Sequence, residues 1–311
     1  MKDLKQLFNK VKDSHVFNDI KFLTYSPELP NQIEPKEIPQ KIGVNFQTSW
    51  ARKRSVVLAR SFILDFLITP TLTLVAAPIV KGDEVLKEIT PPVIFISNHS
   101  SHLDTPLILS CLTPEIRKNI VVAAAADYFF SNKVKAFSFA FLLNAIPMER
   151  TKINRASAEV PFELIKQGWN LLIFPEGGRS PDGWMGSFKG GAAYLAHKAQ
   201  VKVVPIHISG ARKILKKGAK RLVTGTTELR FGSPIEPSSD IRHFNQELQN
   251  AVAALADEAS SNYYKALLNA KAGQTPDPTG PKVSPWRRSW TLPDWASSSK
   301  QEAKSHPWPK I

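Results

Sequence analysis

The chain has 311 residues, 42% of them hydrophobic and 22% charged, and its 41 Lys and Arg against 27 Asp and Glu give a net charge of +14 and a pI near 9.8. That composition excludes wholesale disorder, and the length suits one large domain or two ordinary ones. The basic excess points to a polyanionic partner (nucleic acid, an anionic membrane or a phosphorylated substrate), while the single cysteine, Cys111, rules out an internal disulfide or a multi-cysteine metal site and fits a reducing compartment.

The first dozen residues place Leu4, Leu7, Phe8 and Val11 at helical spacing, with Lys2, Lys5, Lys10 and Lys12 on other faces. This predicts a small basic amphipathic helix, lying on a membrane or docked on the body. No apolar core followed by small residues marks a secretory signal, so the expectation is a cytoplasmic protein. Pro27, Pro30, Pro35 and Pro39 make residues 25–45 an extended connector. The basic residues Arg52, Lys53, Arg54 and Arg60 then lead into an apolar stretch, as where a segment dips into an anionic leaflet. Its longest charge-free run, residues 66–80, has 15 residues and contains Pro70 and Pro78. A helix crossing a bilayer needs about 20 apolar residues, so a broken or interfacial segment is expected rather than a clean span.

From residue 92 short apolar runs alternate with helical periods. Residues 92–97, 120–124, 144–148, 170–174, 202–208 and 228–231 read as strands, and 155–166 and 190–199 as helices between them. Near-continuous apolar strands alternating with helices predict an α/β fold, a layered and largely buried sheet flanked by helices, preceded by an N-terminal helical membrane-associating segment. Leu248, Val252, Leu255, Ala259, Tyr263 and Leu267 continue one stripe through a long helix starting near His243. Residues 271–311 hold seven prolines, four of the seven tryptophans and seven Lys or Arg against three acidic residues, too little to build a core. The expected organisation is a helical membrane-associating region over 1–85, the α/β domain over 86–270 and a Pro/Trp-rich basic tail over 271–311.

Two polar segments follow apolar strands directly, where ligands bind in α/β sheets. The first is Asn98-His99-Ser100-Ser101-His102-Leu103-Asp104. An imidazole whose second nitrogen is bonded to a carboxylate keeps one tautomer and gains basicity, so the segment offers a general base held by an acid. A plain turn in which Asn98 or Ser100 caps the following helix explains the same residues. A metal site of His99, His102 and Asp104 would need ligands from elsewhere, and no metal is expected. The second segment is Phe174-Pro175-Glu176-Gly177-Gly178-Arg179-Ser180. Its glycines permit close backbone approach, and Arg179 presents a planar fork suited to phosphate; an ordinary strand-to-loop turn is the simpler alternative. No GxSxG, GxxxxGK or GxGxxG pattern is present, which removes the main support for hydrolase, NTPase and dinucleotide-binding readings.

Together NHSSHLD and FPEGGRS resemble the glycerolipid acyltransferase family, with His99 to Asp104 as its H-x4-D block and FPEGGR similar to its FPEGTR block. Ala145-Ile146-Pro147-Met148-Glu149-Arg150 resembles the arginine-bearing block and Val203-Val204-Pro205-Ile206 the apolar strand with proline; the resemblance spans roughly residues 90–235. It implies that His99 accepts the proton of an acceptor hydroxyl while Asp104 orients it, with attack on the thioester of acyl-CoA or acyl carrier protein and no further cofactor. It implies that Arg150 and Arg179 hold the acceptor phosphate, that Glu176 positions an arginine or the glycerol hydroxyl, and that backbone N–H groups near Gly177 and Gly178 steady the oxyanion. His102 and Ser100 are expected to be structural. The implied acceptor is a lysophospholipid, foremost 1-acylglycerol-3-phosphate, met at the cytoplasmic face of an anionic membrane by a peripheral or monotopic enzyme. Gly178 stands where acylglycerol-phosphate acyltransferases usually have threonine, which keeps glycerol-3-phosphate or another lysolipid open as acceptor. A non-catalytic basic membrane-binding module is the alternative from another class; nucleic acid is not expected, because the strands are aliphatic.

Overall fold

A computed structural model describes residues 43–149, 158–215 and 221–280, all within one compact unit, Lys41–Ile311. The expected amphipathic N-terminal helix, nearly all of the connector, Arg150, residues 155–157 and the tail from 281 lie outside the described residues. Helices of eight residues or more carry the labels α1 to α8.

The centre is a seven-stranded sheet of β1 (Pro78–Lys81), β2 (Ile94–Ser97), β3 (Ile120–Ala125), β4 (Ala145–Met148), β5 (Asn170–Ile173), β6 (Val203–Ser209) and β7 (Thr227–Phe231), in the order β1-β7-β6-β2-β5-β3-β4. Neighbours pair in parallel except β6 with β7, so β1 and β7 run against the other five. Strands buried on both faces need apolar residues at every position. In β2, Phe95 packs on one side with Leu107, Leu172 and Val204, while Ile94 and Ile96 pack on the other with Leu171, Leu195 and Phe244. The first side is covered by α2 (Thr69–Ala76) and α3 (Asp104–Cys111), and the second by α5 (Glu159–Lys166), α6 (Gly191–Ala199) and α7 (Ile241–Ser260). All six expected strands are present, and the α/β reading holds.

Three local expectations change. The apolar N-terminal segment is not broken at Pro70: α1 (Arg54–Ile63), a π turn (Leu64–Ile68) and α2 form one continuous helical run, with Pro70 just after the π turn, a wider turn at which a helix absorbs a residue that has no N–H to give. Left-handed Ala77 (φ 34°) ends the run, and Pro78–Lys81 enters the sheet as its edge strand, the position in which a strand tolerates proline. Arg60, read as part of a membrane-facing basic cluster, is only 4% exposed and donates to the carbonyls of Ala51, Ala140 and Phe141; burial pushes its guanidinium down to about 10. Asp65 forms an ion pair with buried Arg117. These two clamps fasten the helical run to the domain. Finally, the expected single C-terminal helix is two. α7 stops at Ser260, Asn262 caps the N–H of Lys265, and α8 (Tyr263–Lys271) follows with Tyr263 and Tyr264 exposed.

Candidate active site

β2 and β5 are adjacent, with Ile94 beside Leu171 and Ile96 beside Ile173, so the residues leaving their C-terminal ends stand one strand spacing apart. This pairing brings the two polar segments together. Phe174, the first residue beyond β5, stacks on the His99 ring at 4.0 Å between centroids and 21° between planes.

Asp104 is the first residue of α3 and is fully buried. Its Oδ2 accepts from His99 Nδ1 at 2.9 Å, from the Ser100 N–H at 2.7 Å and from the Ser101 N–H at 2.8 Å. Two of these partners are backbone N–H groups, which can only donate, so Oδ2 serves as an acceptor. Nδ1 therefore carries the proton in the neutral ring, which leaves the lone pair on Nε2. The capping alternative does not describe the segment. Asn98 reaches across to β6, donating to the Ile208 carbonyl at 2.9 Å and accepting its N–H at 2.8 Å, and no side chain caps α3.

Glu176 Oε1 accepts the N–H of His99 at 2.7 Å and Oε2 the N–H of Gly186 at 2.8 Å. Burial pushes its carboxyl up to about 8, with the two N–H donors pulling the other way. Both oxygens thus accept backbone N–H groups, one of them from His99. The Ser180 N–H donates to the His99 carbonyl at 2.8 Å, so the loop after β5 holds the His99 residue at both its N–H and its carbonyl. Gly177 has φ +72° and donates its N–H to Phe174, which leaves Gly178 as the better placed of the two glycines for a ligand oxygen.

His99, Gly177, Gly178 and Arg179 help to line a cavity of about 300 Å³ whose wall is largely apolar, from Val122 through Ala125 to Phe139, Leu143 and Ile173. His102 turns away from the pair and stacks on Tyr128, its Nε2 3.2 Å from the phenol oxygen; burial, with Arg179 and His99 nearby, holds it down at about 4 and therefore neutral. The guanidinium of Arg179 lies 5.8 Å from the centre of the same ring. Arg150 is outside the described residues, though its neighbours Met148 and Glu149 line the cavity. Sequence reasoning missed two more residues of the cavity wall: Tyr128, which the strand-end rule applied to β3 would have flagged, and Lys189, which carries no such signal.

Residues 78–209 match the family described as Acyltransferase. The chain carries an acyltransferase-family domain. It is 31% identical over 164 residues to a chloroplast 1-acyl-sn-glycerol-3-phosphate acyltransferase of Arabidopsis thaliana, covering 51% of this chain and 44% of that protein. Against the human 1-acyl-sn-glycerol-3-phosphate acyltransferase alpha the figures are 29% over 151 residues, 46% and 50%. The acyltransferase domain is thus matched to relatives of which the chain spans about half. The crystal structure of the 1-acyl-sn-glycerophosphate acyltransferase of Thermotoga maritima superposes with a TM-score of 0.51 at 24% identity, over 68% of this chain and 83% of that one, and shares the fold.

Proposed function

We propose that the protein transfers a fatty acyl group from acyl-CoA or acyl carrier protein to the free hydroxyl of 1-acylglycerol-3-phosphate, giving phosphatidic acid. The observation that carries this reading is the His99–Asp104 pair, with His99 on the wall of a largely apolar cavity. His99 Nε2 takes the hydroxyl proton as the oxygen attacks the thioester carbonyl and the C–O bond forms. Asp104 steadies the imidazolium so produced. The Gly178 N–H is the candidate donor to the oxyanion. On collapse the C–S bond breaks, and the thiolate leaves with the proton from His99. Neither a covalent enzyme intermediate nor any group beyond the two substrates is needed. Arg179, which lines the same cavity as His99, and Arg150, two residues past β4 in the sequence, hold the acceptor phosphate.

The test is mass spectrometry of products after incubation with acyl-CoA or acyl carrier protein and a panel of glycerol-3-phosphate, 1-acylglycerol-3-phosphate and other lysolipids. Phosphatidic acid is the expected product. Lysophosphatidic acid from glycerol-3-phosphate would move the acceptor assignment, and free fatty acid alone would overturn acyl transfer. Arg179→Lys keeps the charge but loses the fork, so the acceptor KM should rise about 10-fold with the donor KM unchanged, as for loss of a bidentate charged contact. A rise confined to the donor KM would place Arg179 on the other substrate.

The acceptor resides in a bilayer, and the helical run Arg54–Ala76 is 23 residues long, apolar enough to cross a membrane and only 17% buried. Leu58, Phe62 and Phe66 are exposed along one face at four-residue spacing, and α4 (Lys133–Leu143) adds exposed Val134 and Phe137. The Arg60 and Asp65 clamps hold this run against the domain, which favours lying in one leaflet over spanning it. Exposed Lys53 and Arg54 supply the attraction to anionic lipid, at roughly 1 kcal/mol each. Changing both to Ser should weaken sedimentation with anionic vesicles by up to about 30-fold at low salt. Unchanged sedimentation would move the attachment elsewhere, with the basic tail beyond residue 280 as the next candidate.

A further inference from the structure

The loop that holds His99 is itself held from outside by a segment far downstream. After α8 the chain turns back, and the Pro278 carbonyl accepts the Met185 N–H at 3.0 Å. Gly280 packs against the Trp184 indole: a Cβ at this position would fall 2.3 Å from the ring, and its φ of +76° favours glycine. The turn is closed by Asp277, whose Oδ1 accepts the Thr279 N–H at 2.9 Å and hydroxyl at 2.7 Å. Trp184 and Met185 are buried, so this segment covers apolar surface as well as satisfying a backbone donor.

One residue beyond Met185, the Gly186 N–H binds Glu176 Oε2, and Glu176 Oε1 binds the His99 N–H. On the inner side Ser180 and Asp182 organise the same loop through the N–H groups of Gly183 and Trp184, and the Ser180 N–H holds the His99 carbonyl. Pro278, Trp184 and Glu176 share with His99 the wall of one small cavity behind the site. Residues 276–280 therefore sit at the outer end of a short, mostly buried path of contacts that terminates on the backbone of His99. They lie well outside residues 78–209, the part matched to the family.

We propose that residues 276–280 are a positioning strap, which sets the placement of the His99 backbone through Met185, Gly186 and Glu176. The strap touches no substrate, and its effect is on the geometry of the base. Small displacements of a reacting group are costly, about 100-fold in rate for ~1 Å. Loosening one outer support should therefore lower kcat by about 10-fold, well short of losing the base, and leave both KM values within about two-fold.

Three proteins test this: the chain ended after Gly280, the chain ended after Gly273, and full-length Gly280→Val, whose side chain must lift the strap off Trp184. Two measurements are made on each, steady-state kinetics with acyl-CoA and detergent-dispersed 1-acylglycerol-3-phosphate, and hydrogen–deuterium exchange of the peptide containing the His99 amide. The chain ended after Gly280 should match full length in both. The other two should lose about 10-fold in kcat and exchange the His99 amide at least 10-fold faster, while amides in β2 and β6 keep their protection, which separates loosening from unfolding. Trp184→Ala with Gly280→Val should be no slower than Trp184→Ala alone, because the contact is already gone. Full kcat and unchanged His99 exchange in the chain ended after Gly273 would overturn the strap. The kinetic arm rests on the proposed reaction, whereas the exchange arm does not: an inactive full-length protein would sink the reaction and still leave the strap to be decided by exchange.

Discussion

His99→Ala is expected to lower turnover by about 10²- to 10⁴-fold, the usual contribution of a positioned acid–base group. The loss should fall on kcat, with acceptor and donor KM little changed, because Nε2 meets the proton only as the oxygen attacks. The fold should survive. The ring is packed against Phe174 and bonded to Asp104, but the strands and the Glu176 bond to the backbone N–H do not depend on the side chain. Circular dichroism and the thermal midpoint check that point, and turnover within about 3-fold of the parent in a folded variant would remove His99 from the chemistry.

Asp104→Asn should come next in size, at about 100-fold or more in kcat. The amide is nearly isosteric, so the side-chain volume at the start of α3 is kept, but the charge that stabilises the imidazolium is gone. If the amide nitrogen turns toward the ring, Nδ1 becomes the acceptor and the proton moves to Nε2, the wrong tautomer for a base. Nitrogen NMR of the labelled imidazole distinguishes these states: the parent should carry its proton on Nδ1. A variant with the parent's tautomer and undiminished kcat would reduce Asp104 to a support for the Ser100 and Ser101 amides.

Much of the fold and the site was legible in the sequence because parallel strands buried on both faces leave uninterrupted apolar runs, and PVIFIS and NLLIF declare themselves in that way. The two polar segments stood out because each succeeds such a run directly, but their meeting depends on β2 lying beside β5, a matter of strand order. Strand β1 escaped because PIVK is four residues long, starts with proline and sits directly after an apolar helix, so local pattern joins it to the helix. Arg60 misled for a related reason. One basic residue among apolar neighbours looks the same whether it faces phosphate groups or three carbonyls, and only tertiary contacts decide. Glu176 was found as part of a motif, yet its two backbone partners come from residues 77 and 10 positions away, which sequence spacing alone does not pair.

The clamped helical run also limits how a less apolar version of this protein can be engineered. Cutting the chain ahead of β2 would strip Asp65 from buried Arg117, empty the seat of Arg60 beneath α4 and remove β1, exposing β7 as a raw sheet edge open to intermolecular pairing. Solubility is better sought by recolouring the helix in place, with Leu58, Phe62 and Phe66 exchanged for glutamate or lysine on the face that the domain leaves uncovered.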